Sequence, residues 1–165
     1  MMVPYARNMF HNILVALDGS AHAARALEQA VDLARADNAK LTVIAAVPDP
    51  SAWVVTGAYA GGVDFDELNE EAEREHATML ESAVATIPDD LPVTKLIVHG
   101  RAAEHILEQV RRGGHDLVVM GSRGRGEVKS LLLGSVSHEV LGASPAAVLI
   151  IHADTDDGPT GPTGG

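Results

Sequence analysis

The chain of 165 residues has no cysteine, and aromatic residues make up only 3% of it. The first absence excludes disulfides and thiolate metal sites. The second means that any core must be built from Ala, Val, Leu and Ile, a composition suited to aliphatic strands under Ala-rich helices. No apolar run approaches the roughly 18 residues of a membrane span, so no membrane partner is expected. Met1 to Phe10 contains no apolar segment of the secretory-signal kind, and Met9 is an alternative start just ahead of the first strand. Basic residues are scarce: 12 Lys and Arg against 23 Asp and Glu give a net charge of −11. Phosphate backbones reward a basic face, so general nucleic-acid binding is not expected either. The acidic excess reads most simply as solubility.

Against that scarcity, Arg123, Arg125 and Lys129 fall close together inside the segment Gly121–Ser135 (GSRGRGEVKSLLLGS). The segment follows the apolar run Leu117-Val118-Val119-Met120 and leads into a helical stretch, Val136 to Leu141. Chemically, a strand opening into a glycine-rich, hydroxyl-bearing basic turn and then a helix suits a phosphate. Glycines let backbone N–H groups approach an anion, and a helix N-terminus adds unpaired donors and partial positive charge. The spacing Gly121-x2-Gly124-x9-Gly134-Ser135 is neither a P-loop nor the dinucleotide fingerprint, and kinase or GTPase machinery lacks its usual parts. Taken singly, these glycines serve equally well to turn the chain, and Ser135 and Ser137 to cap a helix. The three basic side chains suit a solvated loop as well as a phosphate.

The remaining pattern alternates strands and helices. Ile13 to Leu17 reads as a buried strand ended by Asp18-Gly19. Ser20 caps a helix with Ala23, Leu27, Ala30, Val31 and Ala34 on its apolar side, ending near Asp37-Asn38. A strand from Leu41 to Val47 stops at Pro48 and Pro50. Residues 48 to about 65 form a long loop carrying Trp53, Tyr59 and Gly61-Gly62, of a length usually seen in lids or mobile segments. A second helix is predicted from Asp66 to about Ile87, with Leu68, Ala72, Met79, Leu80, Ala83, Val84 and Ile87 on one side. Then follow a strand over Val93–Val98, a helix ending at Gly113-Gly114, a strand over Asp116–Met120 and, after Ser144-Pro145, a strand over Ala146–Ile151. One domain is expected over residues 10–152, with an N-terminal extension (1–9) and a disordered tail (153–165) low in apolar residues.

This βα alternation implies right-handed crossovers and an α/β fold with a mostly parallel sheet covered on both faces. Ligands in such sheets sit beyond the strand C-termini where the winding reverses. Asp18 stands at one such end, either as a turn residue before glycine or as a hydrogen-bond acceptor for a nucleotide. The histidines show no metal spacing and no HExxH, and no G-x-S-x-G elbow occurs. No residue is evidently placed as a general base; His138 is nearest in sequence and suits a helix surface.

Three stretches together resemble the universal stress proteins of the single-domain UspA-like kind. They are Ile13-Leu14-Val15-Ala16-Leu17-Asp18-Gly19-Ser20, Asp116-Leu117-Val118-Val119-Met120-Gly121-Ser122-Arg123-Gly124 and Leu133-Gly134-Ser135-Val136-Ser137, followed by Ser144-Pro145-Ala146-Ala147-Val148-Leu149-Ile150. The resemblance implies an open, twisted, five-stranded parallel sheet of order 3-2-1-4-5. Helices would lie on both faces, Rossmann-like and similar to the adenine nucleotide alpha hydrolases. It further implies a cytoplasmic, ATP-binding stress-response protein acting through nucleotide-dependent sensing or signalling; slow ATP hydrolysis or nucleotide-dependent transfer, and a partner-binding module that ignores nucleotide, stand as alternatives. Ala16, Asp18 and Ala46 (or Val47) would lie by the adenine. Met120, Gly121, Arg123 and Gly124 would line the ribose and phosphate side, and Gly134, Ser135, Val136 and Ser137 would hold phosphates. Mg²⁺ or Mn²⁺ would accompany the triphosphate with few protein ligands. Homodimerisation through the last strand, Ala146 to Ile151, is also implied, and would cover an otherwise open apolar edge.

Overall fold

Strand β1 (Asn12–Leu17) alternates between the two faces of the sheet, and that alternation organises the whole molecule. Ile13, Val15 and Leu17 join one buried cluster, while Leu14 and Ala16 join another. The computed structural model describes residues 8–49, 64–125 and 133–153. Its further elements are α1 (Ala21–Asp37), β2 (Lys40–Val47), α2 (Phe65–Val84), β3 (Val93–His99), α3 (Ala102–Gly113), β4 (Leu117–Gly121), α4 (Ser135–Ala143) and β5 (Ala147–Ile151). All pairings are parallel, and the strand order is β3-β2-β1-β4-β5. Because β2 and β4 flank β1 on opposite sides, the winding reverses between β1 and β4.

The two clusters occupy the two faces. Ile13, Val15, Leu17, Leu41, Val43, Leu117 and Val119 pack under α1 and the C-terminal part of α2. Leu14, Ile44, Val118 and Met120 pack under α3 and α4. Each fully buried Val, Leu or Ile contributes about 1.5–3 kcal/mol, so the central strands are apolar on both sides.

Helix α1 buries Ala23, Ala26, Ala30 and Ala34, small residues that let its axis approach the sheet closely. Ser20 caps it as expected, its Oγ accepting from Ala23 N–H at 3.1 Å. It ends at Asn38, whose φ of 52° closes the last turn. Gly114 ends α3 in the same left-handed conformation, at φ 64°.

Helix α2 departs from its predicted apolar side. Within it Leu80 is buried, whereas Phe65 is 43% and Leu68 37% exposed. Its C-terminal half, with Met79, Ala83 and Val84, carries the packing against the sheet cluster. The helix proper stops at Val84, and Ile87 is buried in the turn beyond it. Smaller differences are at strand ends: β4 begins one residue later and includes Gly121, β3 extends to His99, and β5 begins at Ala147. Trp53, Tyr59, Lys129, the extension before residue 8 and the tail after residue 153 lie outside the described residues.

At the strands' N-terminal ends Asp116 fastens β1 to β4. Its Oδ2 accepts from His11 N–H at 2.8 Å and its Oδ1 from Asn12 N–H at 3.0 Å. Burial alone would raise its pKa, but the Asn12 and His11 amides outweigh it and hold the carboxyl below the ordinary range. A depressed carboxylate contributes stability above its unfolded value and loses it as pH falls through the folded value. Asp116→Asn is therefore expected to cost about 1 kcal/mol at neutral pH, a modest figure because the side chain is partly exposed. The two proteins should converge in stability below the ordinary carboxylate range, as urea denaturation across pH will show. Next to it, His115 is a core histidine. Its Nδ1 bonds Gln109 O at 3.1 Å, its Nε2 is buried without a partner, and burial holds its pKa below the ordinary value.

Candidate functional site

The face under α3 and α4 runs out of large side chains at the carboxyl ends of the strands. Along β1 the alternation passes from Leu14 to Ala16, and along β2 from Ile44 to Ala46. Alanine stops short where leucine would continue the core. A hollow of about 90 Å³ remains, lined by Ala16, Ile44, Ala46, Met120 and, from α3, Ala102 and Ile106. Leu17, Asp18, Ala23, Gly121, Arg123, Gly124, Val136 and Ser137 complete its lining. The enclosed volume is far below the several hundred Å³ of a pocket that swallows a whole ligand. It suits one ring-sized apolar group, with the rest of a ligand lying along the crevice towards α4.

Ala16, Asp18, Ala46, Met120, Gly121, Arg123, Gly124, Val136 and Ser137 therefore share one wall. Gly134 and Ser135 begin α4 instead of lining the hollow. Ala46, not Val47, faces it, because Val47 points to the other side and is buried there, 2% exposed. The lining residues that pattern reading missed are Leu17, Ala23, Ile44, Ala102 and Ile106. Ile44 was available from the period-two step to Ala46, and Ala102 with Ile106 from i,i+4 spacing in the first turns of a helix following a strand.

The polar groups are more committed than their chemistry alone suggests. Asp18 Oδ1 accepts from Ser20 N–H at 2.9 Å, and Gly19 follows at φ 80°. The turn role of Asp18 and its place on the wall thus coexist. Ser137 is 3% exposed, and its Oγ donates to Gly121 O at 2.7 Å, which ties the start of α4 to the end of β4. Gly134 N–H is likewise engaged, donating to Ser122 O at 2.6 Å. The N-cap of α4 is thus Gly134 and not Ser135, and a glycine has no side chain with which to satisfy the first-turn amides. The first rung of the helix is His138 N–H to Gly134 O at 2.9 Å. The Val136 and Ser137 amides precede that rung, on residues that line the crevice.

Among the described basic residues of the loop, Arg123 lies on the wall. Arg125 turns to α2, where its guanidinium pairs with Glu75 at 3.3 Å and its stem passes over Gly19. The described end of the crevice thus combines an apolar hollow, a helix N-terminus and one arginine. That arrangement accommodates a flat apolar ring at one end and an anion at the other. Among the described residues no group of three or more His, Asp or Glu side chains is placed to hold a metal. The described residues thus supply no metal site independent of an anionic ligand.

A parallel α/β sheet with its crevice at the winding reversal defines the class, and comparison with known proteins places the chain within it. Residues 9–152 match the model of the universal stress protein family. The chain belongs to that family. It is 34% identical over 150 residues to the universal stress protein YxiE of Bacillus subtilis, covering 87% of this chain and 99% of that protein. It is 39% identical over 148 residues to a universal stress protein of Thermus aquaticus encoded in the QAH/OAS sulfhydrylase 3′ region, with the same coverage. Among solved structures, a universal stress protein in complex with cAMP is 28% identical, with a TM-score of 0.56 over 87% of this chain and 98% of that one.

Proposed function

We propose that the protein binds ATP in this crevice and acts in stress response through nucleotide occupancy. The observation that carries the reading is the alignment of the alanine-walled hollow with the N-terminal turn of α4 across the β1–β4 reversal. The adenine would enter between Ala16, Ala46 and Met120. The phosphates would run past Gly121 and Gly124 towards the Val136 and Ser137 amides, with Arg123 offsetting charge. Ser137 contributes its amide, since its hydroxyl proton is directed at Gly121 O. Gly134 and Ser135 act by starting the helix at this point. A relative crystallised with cAMP supports an adenine nucleotide as the ligand class.

Mg²⁺ or Mn²⁺ would be brought in by the triphosphate, whose oxygens supply most of its ligands. Strand β5 is an edge strand with Val148, Leu149, Ile150 and Ile151 half-buried. Its pairing with the same strand of a second copy would cover that edge and give a homodimer.

Isothermal titration of the full chain with Mg-ATP tests the reading. Saturable binding at one nucleotide per chain, weakened by competing cAMP, is the expected result. No saturable heat with ATP overturns it.

A further inference from the structure

His22, in the first turn of α1, sits where β4 and β5 both end. Its Nδ1 meets two donors, the Ala153 backbone N–H at 2.8 Å and Ser122 Oγ at 3.1 Å. Ser122 is fully buried; its own N–H donates to Ile151 O at 2.8 Å. A backbone N–H can only donate. Nδ1 is therefore the bare nitrogen of a neutral ring, and the ring proton is on Nε2.

The two partners respond differently to a proton on Nδ1. A hydroxyl donates or accepts, so Ser122 Oγ can turn its own proton away and accept from the new Nδ1–H. The Ala153 amide has no such reversal, and two N–H groups would then face each other. We propose that His22 is a proton-operated latch on the chain leaving β5: neutral, it holds Ala153 against α1; protonated, it lets Ala153 go while keeping Ser122.

The charged and titratable groups facing the ring are Arg123 beyond β4, His152 beyond β5 and Asp18 beyond β1. His152 meets it edge-to-face with ring centroids 6.5 Å apart, so charge on both rings adds repulsion to release. Burial first, then Arg123 and His152, hold His22 below the ordinary histidine pKa, against the opposing pull of Asp18 and of the Ile151 backbone. The fold thus favours the neutral, latched ring, and acid below the ordinary histidine value drives the other form. The device does not depend on the nucleotide reading, and its test contains no nucleotide.

Amide exchange of the full chain, resolved by residue and corrected for intrinsic rates, reads the latch directly. Between about pH 7.5 and about pH 5, the protection of the Ala153 amide should fall about tenfold or more in step with the His22 titration. The Ser122 amide, on the β4–β5 ladder, should keep its protection. His22→Asn puts a non-titrating carbonyl oxygen near the Nδ1 position and should keep Ala153 protected across that range. His22→Ala should leave it unprotected throughout. Ala153 protection that ignores the His22 titration overturns the proposal, and so does an acid-induced loss that the Asn variant shares. If the Ala variant does not fold, wild type and the Asn variant decide the matter between them.

Discussion

Gly124→Val will abolish measurable ATP binding while leaving the unfolding midpoint unchanged. Gly124 lies on the crevice wall beside Arg123, at the point where the proposed phosphate path leaves β4 for α4. An isopropyl group on that lining is expected to obstruct the proposed phosphate path, since the enclosed volume is only about 90 Å³. Loss of the phosphate contacts should weaken binding by at least about 100-fold, which corresponds to about 2.7 kcal/mol. Titration calorimetry and thermal unfolding on the same sample give both halves of the result. Unchanged affinity would contradict the assigned path, and a collapsed midpoint would show that the glycine is structural.

Gly121→Ala should give the opposite pattern, a large loss of stability from a single methyl group. A Cβ at Gly121 would lie 2.7 Å from His22 Cβ, 2.8 Å from the His22 carbonyl carbon and 2.9 Å from the Ala23 nitrogen. Two of those atoms belong to the backbone of α1, so no rotamer change relieves the clash. Helix α1 would have to lift from the sheet, with Ala23, Ala26 and Ala30 losing their close seat. Overpacking of this kind costs about 1–3 kcal/mol and occasionally more. For a chain of this size that amounts to about 2–4 °C in midpoint per kcal/mol. Urea denaturation measures it; an alanine variant as stable as the wild type would show that α1 does not press on β4 here. Two glycines of one motif are thus expected to answer to different constraints, Gly124 to the proposed ligand path and Gly121 first to a neighbouring helix.

Much of the fold was legible because its signals are local. Period-two runs such as Ile13–Leu17 and the i,i+4 alanines of α1 each report their own element within a few residues. Gly114 and Asn38 close helices for reasons of backbone conformation that the residue itself carries. The apolar side predicted for the start of α2 failed because periodicity tells which residues share a side, not whether a sheet lies beneath it. Leu68 has the spacing of a core residue, yet it is exposed among the described residues.

The site divides along the same line. Asp18 and the glycine spacing could be picked out from the chain's own pattern, each at a strand end, whereas Ala16 and Ala46 came from the family resemblance. Their convergence on one hollow depended on the β1–β4 reversal, a property of strand order that no single stretch encodes. The partners of the polar groups were equally beyond reach: Ser137 spends its hydroxyl on Gly121, and Arg125 turns to Glu75.

From the residues alone came the succession of strands and helices, the aliphatic core and the positions of the turns. Those follow from side-chain periodicity and backbone preference, which act between near neighbours. Which glycine guards a helix and which guards a crevice was decided only by packing. So was the latching of a histidine to an amide far along the chain, because the atoms that impose these limits arrive from distant segments once the sheet is assembled.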